Sequence, residues 1–248
     1  MREMKALILV AGYATRLYPL TKNIAKPLLP INNRPMIDYI IDEINTIKEI
    51  SEIFVVSNHK FAHQFFEWEQ NKTNPIPITV LDDGTTTEEN RRGAIGDIQF
   101  VIEECKIDDD LMVIAGDNFF TYKLEDYFQY FKNLYKDCVI VKKYTDVEAL
   151  KSLGVAQVDK DFKVLDLEEK PQEPKSDLAV YATYMYRRDT VPLFKTYLDE
   201  GNKPDAPGYF VSWLYKKKDL YAYEMQGECY DVGTKEAYAD VQKLFLNK

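Results

Sequence analysis

What the chain lacks narrows the field first. In its 248 residues there is no apolar run approaching about 18 residues, the length that reads as membrane-crossing. No secretory-signal pattern precedes the first apolar stretch. Cysteine is scarce: Cys105, Cys138 and Cys229 are odd in number and far apart. They match no metal or redox spacing and are expected to be reduced, buried and structural. The two histidines, His59 and His63, lack the intervening Glu of a zinc-protease helix and read as ordinary helix residues. No G-x-G-x-x-G occurs, so nicotinamide binding is unsupported, and no Gly-Lys-Ser/Thr follows the first loop, so it is not a Walker loop. Basic excess is absent too. Lys plus Arg total 32 against 41 Asp plus Glu, for a net charge of −9. That balance argues against nucleic acid as the main partner, although an acidic protein can still hold a local cationic pocket. The expectation is a soluble cytoplasmic protein with neither a nucleic-acid nor a membrane partner.

What is present supports a sizeable core. Hydrophobic residues make up 46% of the chain, and 18 tyrosines stand out among the aromatics. Through the first 143 residues, strand and helix patterns alternate. Apolar runs at 5–10, 53–57, 76–81, 111–115 and 138–142 read as buried strands. Between them, 35–47, 60–70, 91–104 and 124–135 show helical stripes, the first carried by Ile37, Ile40, Ile41, Ile44 and Ile47. Such alternation is the signature of a parallel sheet wrapped by helices. Ligands on such sheets bind beyond the carboxyl ends of the strands. The later residues change character. A hairpin is expected at 154–158 and 164–168, a long strand at 178–186, and helices at 189–201, 208–217 and 235–245 around a strand at 220–225. Lys216 to Lys218 read as a solvated helix end. No internal repeat or linker interrupts the chain.

The first forty residues organise the rest. A buried strand breaks at Gly12 into a loop holding Thr15, Arg16 and Thr21, and Lys26 follows directly before Pro27. A strand that delivers a turn and then two cations suits a polyphosphate: loop amides donate hydrogen bonds, and Arg and Lys supply charge.

That stretch reads Ala11-Gly12-Tyr13-Ala14-Thr15-Arg16-Leu17-Tyr18-Pro19-Leu20-Thr21, then Lys26-Pro27. It resembles the opening loop of the nucleotidyltransferases that activate sugar 1-phosphates, written G-G-x-G-T-R-L-x-P-L-T followed by K-P. Two family glycines are replaced by Ala11 and Ala14, and the loop is expected to stay in ordinary dihedral space. The resemblance implies an α/β, Rossmann-like nucleotidyltransferase fold with a central mixed, mostly parallel sheet flanked by helices. It implies that Ala11, Gly12, Tyr13, Ala14, Thr15 and Arg16 hold a nucleoside triphosphate, with Arg16 and Lys26 as the catalytic cations. Gly116-Asp117-Asn118 and Tyr230-Asp231-Val232-Gly233-Thr234 look like the two segments that supply the family's metal-binding aspartates. Asp117 and Asp231 would then hold Mg²⁺, whose remaining ligands are water and substrate phosphate.

A further segment resembles the sugar-phosphate part of glucose-1-phosphate thymidylyltransferases: Gly154-Val155, Glu169-Lys170-Pro171, Pro174-Lys175-Ser176 and Ala179-Val180. By that resemblance Glu169 accepts from sugar hydroxyls, Lys170 binds the sugar's phosphate, and Gly154 and Val180 contact the sugar through backbone. Gly93, in Gly93-Ala-Ile-Gly-Asp97, lies where the family reads the nucleobase, and its missing Cβ lets a base edge approach. The 205–213 segment replaces the family's acidic Glu-Ile-Thr-Asp-like element. One nucleotidyltransferase domain over 1–248 is expected, with 1–143 the nucleotide-binding half and 144–248 the sugar-phosphate half. A homo-oligomer is expected from the resemblance alone. The implied reaction joins a sugar 1-phosphate, glucose 1-phosphate first, to dTTP or UTP. Two rivals stand beside it: a CTP-dependent transferase for a phosphate such as phosphocholine, and a non-catalytic nucleotide-binding regulator.

Overall fold

The structure, a computed structural model, describes residues 3–244. In chain order its strands are β1 (Met4–Leu9), β2 (Pro30–Ile31), β3 (Arg34–Pro35), β4 (Ile50–Ser57), β5 (Ile78–Asp82), β6 (Asp110–Ala115), β7 (Asn118–Phe120), β8 (Asp137–Lys143), β9 (Gly154–Val158), β10 (Val164–Glu169), β11 (Leu178–Tyr186), β12 (Leu220–Glu224) and β13 (Cys229–Asp231). The helices are α1 (Met36–Ile44), α2 (His59–Gln70), α3 (Ala94–Glu104), α4 (Leu124–Leu134), α5 (Val147–Leu150), α6 (Leu193–Asp199), α7 (Pro207–Leu214) and α8 (Lys235–Lys243). The expected end of the last helix at residue 245 lies outside the described residues.

β1 pairs in parallel with β4 and β6, and β4 with β5. The mixed character comes from β11. It runs antiparallel to β6, β8 and β9, with β12 parallel to β8 and β10 closing the hairpin on β9. β11 changes neighbour along its length. Its first residues, Leu178 to Val180, pair with β9, and its last, Thr183 to Tyr186, pair with β6. At the change, between Tyr181 and Tyr184, the register against β8 shifts. The sheet therefore splits where the carboxyl end of β6 meets the start of β9.

Side-chain alternation explains the layers. On β1, Met4, Ala6 and Ile8 face one core with the isoleucines of α1, Phe61 and Phe65 of α2 and the aromatics of α4. Leu7 faces the other, with Ile95, Ile98 and Val101 of α3, Phe194 of α6 and Phe210 of α7. Helices thus cover both sheet faces, as a buried parallel sheet requires. Among the described residues, no helix is long and apolar enough to cross a membrane.

Several elements depart from the sequence expectation. Helix α3 starts at Ala94 rather than at Arg91, because Gly93 has φ 78° and cannot be helical. Helix α6 starts at Leu193 rather than 189. Lys218 is no solvated helix end: its Nζ lies 3.1 Å from Oδ2 of the fully buried Asp137 and 3.0 Å from Asp189. The cysteines are free, but only Cys138 is fully buried; Cys105 and Cys229 are partly covered.

Candidate functional site

A cleft of about 560 Å³ opens at the split in the sheet. Residues 9–17, which begin at the end of β1, form one wall. The first loop is pinned from several sides. Ala11 O accepts from Asn58 Nδ2 at 2.8 Å, and Tyr13 OH donates to Thr85 O at 3.2 Å. Contrary to the expectation of ordinary dihedral angles, Ala14 is left-handed, at φ 48° and ψ 43°. Alanine there costs roughly 1 kcal/mol against glycine. Two hydrogen bonds hold it: buried Thr21 donates Oγ1 to Ala14 O at 2.7 Å, and Leu17 N donates to the same oxygen at 3.1 Å. The second bond closes a short 3-10 turn, Thr15–Leu17, with Leu17 in the core and Arg16 exposed on the cleft.

Lys26 begins a second 3-10 turn, Lys26–Leu28, and is itself buried. Its Nζ lies 3.0 Å from Asp117 Oδ2 and 3.4 Å from Asp231 Oδ1. Asp117 follows β6, where Gly116 N donates to Leu9 O at 2.9 Å. A Cβ on Gly116 would come 2.5 Å from Val10 Cγ1, so only glycine fits beside β1. Asp231 reaches the same place through β13, which pairs antiparallel with β7 and sets Asp231 opposite Asn118. Both carboxylates are about half exposed, with side chains at 50% and 61%. A Cβ on Gly233 would meet Asp231 Oδ1 at 3.0 Å and Arg16 Nη2 at 3.1 Å, so Arg16 and Asp231 both border Gly233.

The far end is built on the hairpin. Gly154 pairs with Glu169 on β10 and with Val180 on β11. Glu169 is largely enclosed. Burial pushes its carboxyl above the usual range, and the adjacent Lys170 opposes the shift. Lys170 itself is exposed and left-handed at φ 53°, with its N–H on Leu153 O at 2.9 Å.

Helix α3 forms the remaining wall. A Cβ on Gly93 would lie 2.5 Å from Pro204 O. The group pressed against Gly93 is thus the 204–205 backbone, which differs from the open approach expected of it. Ala94 N donates to Asp205 O and Ile95 N to Pro204 O, both at 2.8 Å. Those carbonyls cap the α3 amides that no residue of its own supplies.

The cleft lining contains Ala11, Gly12, Tyr13, Ala14, Thr15, Arg16, Lys26, Gly93, Asp117, Gly154, Glu169, Lys170, Val180 and Asp231. Sequence reasoning missed Asp97, Pro207, Gly208 and Gly233, which line it too. Asp97 carried a signal: an acid between Ile95 and Ile98 on an otherwise apolar stripe. Chemically, the cleft sets Lys26 between two half-exposed carboxylates and lines the rest of its walls with Arg16, Arg91 and Lys170 among its cations. That arrangement suits a bound polyphosphate with an accompanying hard cation.

A family model described as nucleotidyl transferase matches residues 5–248. Among curated relatives, the chain is 28% identical over 247 residues to the bifunctional protein GlmU of Methanocaldococcus jannaschii, covering 99% of this chain and 55% of that protein. It is 30% identical over 211 residues to the glucose-1-phosphate thymidylyltransferase of Neisseria meningitidis serogroup A, covering 83% and 67%. The chain spans about half to two thirds of the length of the curated relatives it matches. A crystal structure of a UDP-glucose pyrophosphorylase complexed with UDP-glucose superposes with a TM-score of 0.82 at 19% identity, covering 100% of this chain and 99% of that one, a likeness of fold.

Proposed function

The chain belongs to the nucleotidyl transferase family, and from that premise we propose that it joins a sugar 1-phosphate to a nucleoside triphosphate and releases pyrophosphate. The observation that carries the reading is Lys26. Buried, it spans to Asp117 and Asp231, which lie 91 and 205 residues away in the chain, and it does so in the cleft that holds the Gly12 loop. On this reading residues 1–143 bind the nucleotide and 144–248 the sugar phosphate. Glucose 1-phosphate with dTTP or UTP is the first pair to test, in line with relatives named as glucose-1-phosphate thymidylyltransferases.

An oxygen of the acceptor's phosphate attacks the α-phosphorus. The bond from that phosphorus to the β-bridging oxygen breaks, and its electrons leave with pyrophosphate. The attacking group is already anionic, so no proton need be taken and no general base is required. What the protein supplies is position and charge. Arg16 and the amides of residues 11–15 hold the triphosphate. Lys26 offsets charge growing at the α-phosphate. Lys170 holds the nucleophilic phosphate, Glu169 accepts from sugar hydroxyls, and Gly154 and Val180 border the sugar.

Asp117 and Asp231 fit Mg²⁺: two half-exposed carboxylates already share one cationic neighbour and leave room for water and phosphate oxygens. Bound there, Mg²⁺ would supply charge neutralisation between the two substrates. Among the described residues no group of three or more His, Cys, Asp or Glu is placed to hold a metal ion.

The test is pyrophosphate release with Mg²⁺ across ATP, CTP, GTP, UTP and dTTP, each paired with sugar 1-phosphates and with phosphocholine. Release with a sugar 1-phosphate is expected. Release only with CTP and phosphocholine would replace the acceptor class. No release with any pair would favour a nucleotide-binding regulator.

A further inference from the structure

Asp97 is the one acid on the inward face of α3. It is 5% exposed, and it lines the cleft within one helical turn of Gly93. Its carboxyl faces that of Asp83, which is 2% exposed and lies just past β5. Asp83 has its own donors. Thr85 gives Asp83 Oδ1 both its N–H, at 2.6 Å, and its hydroxyl, at 2.7 Å. Among the described residues, Asp83 Oδ2 and Asp97 Oδ1 are both enclosed without a donor. Two acceptor oxygens facing each other in a dry corner are tolerable only with a proton between them. Since Thr85 serves Asp83, that proton belongs on Asp97. Oδ1 is the enclosed oxygen, and Asp97 itself forms part of the cleft wall.

Burying a carboxyl without donors costs stability, so packing gives no reason for an acid at this place. The corner is also tied to the phosphate-binding wall, because Tyr13 OH donates to Thr85 O. The remaining neighbours are accounted for. Arg92, just before α3, lowers the Asp97 carboxyl against the shift from burial, while its Nε donates to Asp83 O at 2.9 Å. Strands β1 and β4 and helices α6 and α7 bring Leu7, Phe54, Phe194 and Phe210 to this side. At the cleft edge, Arg91 is paired with Glu88 and Asp205.

We propose that Asp97 is a base-selecting residue, whose Oδ2 accepts a hydrogen bond from an N–H of the nucleobase. Every base carries such a donor, a ring N–H in uracil, thymine and guanine or an exocyclic amine in adenine, cytosine and guanine, so selection lies in which of these positions falls opposite Asp97. This rests on the nucleotide reading of the cleft. Burial beside Asp83 raises the Asp97 carboxyl to about 8, so it is neutral at pH 7 and ionises above pH 8. Ionisation would set two adjacent carboxylates at the base end and loosen the grip on an anionic nucleotide.

The experiment is equilibrium binding of ATP, CTP, GTP, UTP and dTTP to the full chain, wild type, Asp97→Ala and Asp97→Asn, from pH 6.5 to 9. The wild type should prefer one nucleotide and bind it more weakly above pH 8. Asp97→Ala should lose about fivefold to tenfold for that nucleotide and much less for the others, flattening the preference. Asp97→Asn keeps an acceptor oxygen and a donor toward Asp83. It should restore most of the affinity at pH 7 and abolish the loosening above pH 8. Preference unmoved in Asp97→Ala, loosening retained in Asp97→Asn, or equal binding of all five by the wild type would each overturn the assignment. Binding is read apart from turnover. Selective binding without pyrophosphate release would sink the transferase reading and leave Asp97 standing.

Discussion

The Glu169 carboxylate fills the space that a side chain at Gly208 would need: a Cβ there would lie 1.8 Å from Glu169 Oε2. The obstacle is the tip of a flexible side chain, not backbone, so Gly208→Ala should fold normally and push Glu169 aside. If Glu169 holds the acceptor, KM for the sugar phosphate should rise by about tenfold, with KM for the nucleotide unchanged. Steady-state kinetics with each substrate varied in turn checks this. An equal change in both KM values would place Glu169 outside the acceptor subsite.

Lys26 offers a sharper test. Lys26→Met keeps the apolar stem and removes the charge between Asp117 and Asp231. The expected outcome is a drop in kcat on the order of 10²–10³, the usual effect of deleting one charge-stabilising donor. Turnover at saturating concentrations of both substrates reads it directly. Full activity in Lys26→Met would remove this residue from the mechanism.

Asp97 should also leave a mark on folding. Its carboxyl titrates near 8 in the folded chain, against 3.8 for the ordinary group. Between those values the folded state holds a proton that the unfolded state has lost. This group's contribution therefore favours folding at low pH, falls as pH rises from about 4 to about 8, and is flat above. Asp97→Asn removes the dependence. Urea melts of the two proteins should diverge across that window, with the variant gaining steadily on the wild type as pH rises toward 8.

Lys218 is expected to matter for stability rather than for chemistry. Asp137 is buried and takes hydrogen bonds from Arg187 N at 2.8 Å and from Thr190 Oγ1, with Lys218 Nζ at 3.1 Å. Burial raises the Asp137 carboxyl, and these three partners oppose the shift. Lys218→Met leaves two of them and should cost about 1–3 kcal/mol. Lys216→Met on the same run, outside this cluster, should cost little. Chemical denaturation of both variants separates the two cases.

Much of the fold can be read from periodicity. The strand at 178–186 shows as a long apolar run, because it is buried along nearly its whole length, and the hairpin beside it shows in two apolar stretches around Asp159-Lys160-Asp161. Strand β13 does not. Its three residues carry no alternation, yet they bring Asp231 to Asp117. The start of α3 was misplaced because Arg91 and Arg92 extend a helix-like stretch, and only the positive φ of Gly93 ends it. At Ala14 the residue type argued for ordinary angles, and tertiary hydrogen bonds from Thr21 and Leu17 prevailed. The motif residues gathered in the cleft were legible as motifs. The span of Lys26 between two distant carboxylates was not, because no local pattern encodes a contact across 205 residues. Asp97 and Gly208 were missed for a related reason: each makes sense only against a neighbour, Asp83 or Glu169, from another element.

The carbonyls of Pro204 and Asp205 cap the first turn of α3, so the two walls of the cleft cannot be exchanged separately. A transplanted loop that moves these two carbonyls would leave Ala94 N and Ile95 N without their partners at the start of the helix that carries Asp97. Redesign of one substrate's pocket in this chain therefore has to treat residues 202–208 and 93–97 as a single cassette.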